Sequence, residues 1–304
     1  MTEITTSALE AVVEQLGHKV KSKTSTSMVV LVKGSRLDQL QSICSAMSNL
    51  GAEYDPNMNG SSIGGIRVGK IRILVKADGK TGGLDVEARA QAMLHEAILS
   101  AMMENGGPID IKMDHRVVKD VVGVEKTPGT PKSDFHLVDK NKRPCAWLSH
   151  KKGSKPTDFQ QWGGVTEKEI ANHKEVIAFG VECKAKFGDK MPSSTSVFKE
   201  IKSKELKGFS VFGVDYGKRP GINNVDALLQ GDPGLEKKGS NYELTANHVH
   251  YNGDIPTGGF EPVLNLTYKG DRTNLGIKGA RASIYPMLGR KMTHIDKIKP
   301  IKGK

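Results

Sequence analysis

The chain is poor in the features that hold together disulfide-rich or membrane-embedded proteins. Three of its 304 residues are cysteines, and Cys44, Cys145 and Cys183 are widely spaced without a C-x-x-C pair. We therefore expect neither a disulfide framework nor a zinc site, and we expect a reducing, cytoplasmic location. No apolar run approaches the roughly 20 residues that span a bilayer. The first residues lack a basic stretch followed by an apolar one, so we expect no secretory signal and no membrane partner.

Acidic residues are also in deficit. Asp and Glu number 34 against 45 Lys and Arg, which gives a formal net charge of +11. Such a balance favours a polyanionic partner, most often nucleic acid. The alternative is a basic surface that is simply solvated. Apolar residues make up 37% of the chain, which is low but sufficient for a core with many surface loops.

The length and the turn residues indicate the class of fold. A chain of 304 residues is long enough for two domains or for one elaborated domain, and 34 Gly with 13 Pro indicate frequent turns. We predict an α/β (α+β) protein with a mixed sheet rather than a helical bundle. We place an N-terminal α/β unit at 1–80, a core at 81–230 and a β-rich extension at 231–304.

Hydrophobic periodicity predicts the elements of these regions. The N-terminal unit has a β-α-β pattern with helices at 7–16 and 38–50, a strand at 27–33 and a strand or hairpin at 65–76. The core begins with a helix at 85–104, and its further elements are strands at 109–113 and 117–122, a hairpin at 133–151, a helix at 166–187 and a strand at 208–216. A capping box of the form T-x-x-E, Thr166 with Glu169, opens the second of these helices. The extension is predicted to contain strands at 242–251, 262–269 and 279–286.

The hairpin at 133–151 carries the most informative pattern. A polar turn from Asp139 to Arg143 separates two apolar segments, so folding at the turn brings Asp134 close to the segment Ser149–Lys151. Alternate residues of a strand share a face, so Ser149 and Lys151 point together toward Asp134. One acid, one hydroxyl and one lysine suit metal-assisted cleavage of a phosphodiester.

Each of these residue types has a role in that chemistry. Mg²⁺ is bound by one or two carboxylates together with water and substrate oxygens, and Asp134 supplies such a carboxylate. The Ser149 hydroxyl or the backbone carbonyl of His150 is the second oxygen. Lys151 orients the attacking water or neutralises charge that develops on the phosphate. Glu96, on an otherwise apolar stretch of the preceding helix, is a candidate for the metal's outer shell or for a second metal.

The order of these residues resembles a known family. A helix with Glu96, a strand with Asp134, a strand ending in x-x-Lys151, a helix and a further strand are similar to the PD-(D/E)XK nuclease superfamily, the fold of many restriction endonucleases. The resemblance covers residues 85–216 and implies a restriction-endonuclease-like core with a central sheet flanked by helices. It also implies hydrolysis of DNA with Mg²⁺ or Mn²⁺, Asp134 as metal ligand and Lys151 as catalytic lysine. The sequence departs from the pattern at Ser133, where proline is common, and at Ser149, which replaces the second acid and gives S-x-K.

The segment beyond the hairpin adds to this resemblance. Gln160 and Gln161 lie where related nucleases often carry a glutamine near the metal or the scissile phosphate, and we assign them to the candidate site. Gly163 and Gly164 allow a close backbone approach to a ligand. Each assignment has a plainer alternative: Asp134 as a partner of Lys132, Lys151 as a solvated turn lysine, and Glu87 in place of Glu96 on the same helix.

Two further clusters are weaker candidates. His248 and His250 share a strand face, so they are geometrically able to bind a metal, but no adjacent Cys or acid completes the set. The glycines of 60–70 resemble a phosphate loop but lack the GK[ST] ending and a following helix. We therefore expect no nucleotide cofactor.

Basic residues at several positions are candidates for phosphate contacts, with a solvated surface as the alternative. The residues assigned to nucleic-acid binding are Arg67, Lys70, Arg72, Lys152, Lys155 and Arg281.

The sequence thus predicts a metal-dependent DNA endonuclease. Cutting both strands favours a homodimer, and the lack of a modification or helicase motif favours a stand-alone enzyme, for which a phage or mobile-element origin is a hypothesis. The rival interpretation is a non-catalytic nucleic-acid-binding or virion-associated protein with a decayed nuclease fold, and Ser149 is the feature that favours it.

Overall fold

The computed structural model describes residues 4–56, 58, 61, 63–78, 84–114 and 116–300. The chain divides into two compact units, residues 1–92 and 93–304. The three-part division given above remains a prediction, and its boundary at 80/81 lies outside the described residues, as do residues 60 and 62 of the glycine segment. The helices of the described part are α1 (Thr6–Gln15), α2 (Arg36–Ala46), α3 (Leu84–Asn105), α4 (Lys168–Ala171), α5 (Lys174–Phe187) and α6 (Lys204–Phe212).

The first unit is built on a mixed sheet in the order β1-β2-β5-β4-β3. Its strands are β1 (Lys19–Lys23), β2 (Ser27–Val32), β3 (Ala52–Asp55), β4 (Gly65–Val68) and β5 (Ile71–Ala77). β2 and β5 pair in parallel, which is the predicted β-α-β connection with α2 between them. Leu9 and Val13 of α1 and Leu40 and Ile43 of α2 share one core with the sheet. β1 and β3 are additional strands that apolar alternation does not reveal, because their side chains are largely exposed.

The second unit contains an eight-stranded sheet in the order β13-β14-β6-β7-β8-β9-β12-β15 and a five-stranded sheet in the order β10-β17-β16-β11-β18. The strands of the larger sheet are β6 (Ile109–Met113), β7 (Arg116–Lys126), β8 (Phe135–Asp139), β9 (Pro144–Lys151), β12 (Ala227–Gln230), β13 (Gly234–Lys238), β14 (Asn241–Thr245) and β15 (His248–Tyr251). The strands of the smaller sheet are β10 (Gly163–Gly164), β11 (Ser196–Glu200), β16 (Pro262–Asn274), β17 (Ile277–Pro286) and β18 (Thr293–His294).

The centre of the larger sheet positions the candidate site. β6 to β9 form an antiparallel meander, which includes the predicted hairpin as β8 and β9. β12 then pairs in parallel with β9. Side chains of α5, α6 and the smaller sheet, among them Phe179, Phe212 and Leu264, form a common core that also contains Leu228 of β12. Mixed sheets with few helices agree with the predicted α/β (α+β) class.

Two predicted elements are wrong. The segment 208–216 is not a strand, because α6 covers 204–212 and Ser203 caps it by accepting a hydrogen bond from the Leu206 N–H at 3.2 Å. Its short apolar run suits either structure, and packing against the core decides for the helix. The strand that follows the helices and pairs with the hairpin is instead β12.

The predicted helix at 166–187 is two helices, α4 and α5. The chain breaks between them because His173 caps α5, its Nδ1 accepting from the Glu175 N–H at 3.2 Å. The Thr166–Glu169 capping box is wrong, since α4 begins after Glu167 without a side-chain cap.

The C-terminal strands are confirmed with one change. β16 and β17 contain the predicted strands at 262–269 and 279–286, and they pair in an antiparallel register. The predicted strand at 242–251 is two strands, β14 and β15. Among the helices of the described part, none has the length and apolar character needed to cross a bilayer.

Candidate active site

The hairpin of β8 and β9 brings Asp134 and Ser149 side by side. The two strands pair with Phe135 opposite Leu148, so Asp134, just before β8, lies opposite Ser149. The Asp134 N–H donates to the Leu148 carbonyl at 2.9 Å and continues the ladder. The structure therefore confirms the juxtaposition that the period of two predicts.

Hydrogen bonds fix the Asp134 carboxylate. Its Oδ2 accepts from the Ser149 hydroxyl at 2.9 Å and from the His150 backbone N–H at 2.6 Å. Within the described residues no donor is bonded to Oδ1. One oxygen of the carboxylate is thus used for orientation, and the other is left for a ligand.

These residues line a small cavity of about 150 Å³. Asp134, Ser149 and Lys151 contribute to its wall together with two charged residues that the sequence did not mark as functional, Lys132 and Glu167. Glu167 is exposed at the start of α4. The cavity therefore holds two carboxylates and two lysines around one open space.

Lys132 is held by backbone carbonyls. Its Nζ donates to the Trp162 carbonyl at 2.8 Å and to the Ser210 carbonyl at 2.6 Å. Burial lowers the pKa of Lys132 to about 7, with a smaller contribution from the positive charge of Lys151, whereas the charges of Asp134 and Glu167 act in the opposite direction. Lys151 therefore disfavours the charged form of Lys132, and the two carboxylates partly offset this effect.

His150 is directed away from this chemistry. Its Nε2 lies 2.8 Å from the Gly231 carbonyl, and burial lowers the pKa of the ring below its usual value. A neutral ring that donates to a carbonyl is a structural arrangement. The proposed role of the His150 backbone carbonyl as a metal ligand remains a prediction.

Three predicted site residues lie elsewhere. Glu96 is exposed on α3, Gln160 is exposed, and the Gln161 Oε1 accepts from the Arg281 Nη2 at 2.6 Å. None of the three is among the described residues that line the cavity. The structure does not bring them together with Asp134.

The predicted nucleic-acid-binding residues lie in three places. Three of them are in the β4–β5 hairpin, two are in the loop after β9, and Arg281 is paired with Gln161. Arg67 and Arg72 are opposite each other on β4 and β5 with Lys70 at the intervening turn, and Arg67 donates to Asp55 at 2.7 Å. Arg281 pairs with Gln161 as described above. These placements leave Lys70 and Arg72 exposed in the first unit.

The second place is the loop after β9, next to the cavity wall at Lys151. Lys152 and Lys155 are exposed there. Their backbone carbonyls accept from the Nε2 of the buried Gln230 at 3.1 and 2.7 Å. This side chain at the end of β12 therefore fixes the loop while leaving the two ammonium groups in solvent.

The donor set in the cavity fits a magnesium-type ion. Among the described residues no group of three or more His, Cys, Asp and Glu side chains is arranged to hold a metal. Mg²⁺, however, is usually bound by one or two carboxylates, with water and substrate phosphates supplying the remaining oxygens. Asp134 and Glu167, which both line the cavity, match that requirement in number and in kind.

The His248 and His250 pair forms part of an aromatic cluster. The two rings stack with centroids 6.3 Å apart, and both contact Phe260. Burial and the neighbouring His248 lower the pKa of His250 to about 4. In the described part of the chain no third ligand joins them, so the arrangement is one of packing.

Two residues of the cavity, Lys132 and Glu167, were not predicted as site residues, and a local indication was present in the sequence for only one of them. Lys132 stands two positions before Asp134 in a bend that precedes β8, so its closeness in the sequence was the signal that pointed to it. Glu167 was assigned to the first turn of a continuous helix. Its position at the cavity depends on tertiary structure that no local pattern encodes.

Comparison with known proteins supports the resemblance to nucleases. The chain is 35% identical over 149 residues to the type II restriction enzyme CviJI of Paramecium bursaria Chlorella virus IL3A. The match covers 46% of this chain and 41% of that enzyme, so the chain spans less than half of the relative's length. No family model matches the chain. No solved structure matches it either. The similarity supports the resemblance to restriction-endonuclease-like nucleases.

Proposed function

We propose that this protein is a divalent-metal-dependent endonuclease that hydrolyses phosphodiester bonds of DNA. The observation that carries the proposal is the cavity whose wall contains a fixed carboxylate, Asp134, together with Lys151 and a second acid, Glu167. The similarity to a type II restriction enzyme and the net charge of +11 support DNA as the substrate.

Asp134 and Glu167 are the residues that would hold Mg²⁺ or Mn²⁺. A bound divalent ion supplies Lewis-acid activation of the phosphate and of water. Ser149 and the His150 N–H keep the Asp134 carboxylate in one orientation, so little rearrangement is needed when the ion binds.

Lys151 contributes positive charge at the place where the reacting phosphate gains negative charge. Such a preorganised cation stabilises the transition state more than the ground state, because the charge develops during the reaction. Losing one group of this kind typically costs about 100-fold or more in rate. Ser149 acts through Asp134 rather than on the substrate.

Plasmid cleavage tests the proposal. Supercoiled and linear DNA are incubated with wild type, Asp134→Ala and Lys151→Ala in Mg²⁺, in Mn²⁺ and in EDTA. We expect metal-dependent cleavage by the wild type and a loss of about 100-fold or more in each variant. Lys140→Ala, an exposed turn lysine paired with Asp120 at 3.0 Å, serves as the control and keeps wild-type activity. Cleavage that survives both site substitutions would contradict the proposed site.

Metal binding tests the role of Glu167 separately from catalysis. We expect Glu167→Gln to bind Mn²⁺ at least about 10-fold more weakly in a calorimetric or spin-resonance titration, because it removes one of two carboxylates. Glu169→Gln, two residues away and exposed, is the matched control with unchanged affinity. Equal affinity in the two variants would exclude Glu167 as a ligand.

The rival function is nucleic-acid binding without catalysis, in a binding or virion-associated protein. The observation that favours it is Ser149, whose hydroxyl is bonded to Asp134 at the position where related nucleases carry an acid. Duplex binding without cleavage under any divalent metal would decide for this function.

Assembly and origin belong to the same proposal. Two copies of the cavity are needed for one enzyme to cut both strands at once, so we expect a homodimer on DNA. The viral source of the restriction enzyme to which the chain is similar supports a phage or mobile-element origin.

A further inference from the structure

In its protonated form, Lys132 has one N–H donor that no acceptor among the described residues uses. An ammonium group has three N–H donors, and the carbonyls of Trp162 and Ser210 accept two of them. In the described part of the chain no acceptor is bonded to the third. Because Lys132 lines the same cavity as Asp134 and Lys151, this donor is available to a ligand that enters the cavity.

The two carbonyl bonds make the position of Lys132 unusually well defined for a lysine. A solvated lysine samples many rotamers and loses that freedom on binding, at about 0.5–1.5 kcal/mol for a rotamer-rich side chain. Lys132 is already held between the loop at Trp162 and helix α6 at Ser210. A ligand that meets its third donor therefore meets a preorganised group.

The charges in the cavity indicate the chemistry of that ligand. With Lys132 protonated, the two lysines balance the carboxylates of Asp134 and Glu167, so a divalent ion bound by the carboxylates leaves the cavity cationic. Both lysines line the cavity, so an anion that enters it meets two cationic side chains. A phosphodiester carries one negative charge and two non-bridging oxygens, which is enough to serve both ammonium groups.

We propose that Lys132 is a second phosphate-binding lysine of the site, donating its third N–H to a non-bridging oxygen of the DNA phosphate that enters the cavity. This inference rests on the proposed function, since it places the substrate in the same cavity. Lys151 and Lys132 then bind the phosphate from two directions. The S-x-K arrangement is in this way complemented by a lysine from the segment before the first strand of the hairpin.

The slope of DNA affinity against salt tests the contact directly. Each phosphate contact contributes about 0.9 to the slope of log K against log salt for duplex DNA. A short duplex is titrated in EDTA at several KCl concentrations with wild type, Lys132→Met, Lys132→Gln and the control Lys140→Met. We expect the slope to fall by about 0.9 in both Lys132 variants and to stay at the wild-type value in the control.

The two substitutions separate phosphate binding from bracing. Gln keeps neutral N–H donors for the two carbonyls, whereas Met has none. If Lys132 only held the cavity together, Lys132→Met would bind DNA more weakly, but the slope of its affinity against salt would not change. Unchanged slopes in both Lys132 variants overturn the inference, whatever happens to affinity or to the melting temperature. A Gln variant with the wild-type slope also overturns it.

Cleavage measured on the same proteins distinguishes this inference from the proposed function. If the wild type cleaves in Mg²⁺ or Mn²⁺ but the salt slopes do not depend on Lys132, the Lys132 contact is rejected and the endonuclease is retained. If the salt slope depends on Lys132 but the wild type cleaves under neither metal, the endonuclease is rejected and the Lys132 contact is retained. A wild type that binds no duplex and cleaves under neither metal overturns both.

Discussion

Some contacts of the Asp134 carboxylate could be predicted from the sequence, and others could not. Strand alternation and the polar turn were sufficient to predict that Asp134 meets Ser149, because both features are local. The donor at 2.6 Å from the His150 backbone was not foreseeable, since it depends on how the ladder ends at this point. The position of Glu167 at the cavity also depends on tertiary structure, so no local pattern predicts the second carboxylate that we propose as a metal ligand.

The protonation of His250 makes the free energy of unfolding depend on pH. Its Nε2 is buried without a partner among the described residues, and its ring packs against Trp162 and Phe260, which holds its pKa at about 4. In the unfolded chain the pKa of histidine is about 6.5. Between these values the unfolded state binds more protons than the folded state, so the free energy of unfolding falls as the pH falls from about 6.5 to about 4.

We expect His250→Phe to remove this term while keeping an aromatic ring in the cluster. From pH 7 to pH 5, the wild type should lose about 1 to 2 kcal/mol of unfolding free energy more than the variant. Urea unfolding followed by tryptophan fluorescence measures it in the second unit alone, because Trp147 and Trp162 both lie there. An identical pH dependence in the two proteins would show that His250 does not titrate in this way.

Elements were predictable where the hydrophobic period was long and undisturbed. α3 and the hairpin follow the sequence closely, because each has several apolar residues on one face between clear stop signals. The run at 208–216 was misassigned because a short, largely apolar stretch suits a buried strand and a buried helix equally. Only the packing of α6 against the core resolves the ambiguity, and that information is not local.

Two glycines inside helices give a matched test of this packing. Replacing a helical Gly by Ala normally stabilises a protein by up to about 1 kcal/mol. At Gly180 of α5 an added Cβ would lie 3.6 Å from Leu275, which is an ordinary contact. At Gly208 of α6 it would lie 2.1 Å from the Tyr216 ring, so the ring must move.

We therefore expect opposite effects from the same substitution. Gly180→Ala should raise the free energy of unfolding by up to about 1 kcal/mol, and Gly208→Ala should lower it by about 1–3 kcal/mol because the site is already filled. Urea titrations of the two variants beside the wild type measure both changes. A stabilising Gly208→Ala would mean that α6 does not pack on Tyr216 as described.

At the scale of the whole molecule, two units with separate cores carry a strongly basic chain. The first unit presents the arginines of the β4–β5 hairpin, and the second contains the cavity and the loop with Lys152 and Lys155. Net charge and length pointed to nucleic acid and to more than one domain. Net charge and length did not indicate the order of the strands in the sheets. Pairing between distant segments, such as β9 and β12, produces no periodic pattern in the sequence.

Cleavage of DNA at the Asp134 cavity with a divalent metal is the reaction that we propose. Its most direct test is the single-turnover cleavage rate of a defined duplex, with enzyme in excess, for wild type, Asp134→Asn and Lys140→Ala in Mg²⁺. We predict that Asp134→Asn loses about 100-fold or more of the rate while Lys140→Ala retains it, because only the first removes a charged oxygen from the cavity. A wild-type rate in Asp134→Asn would contradict the account.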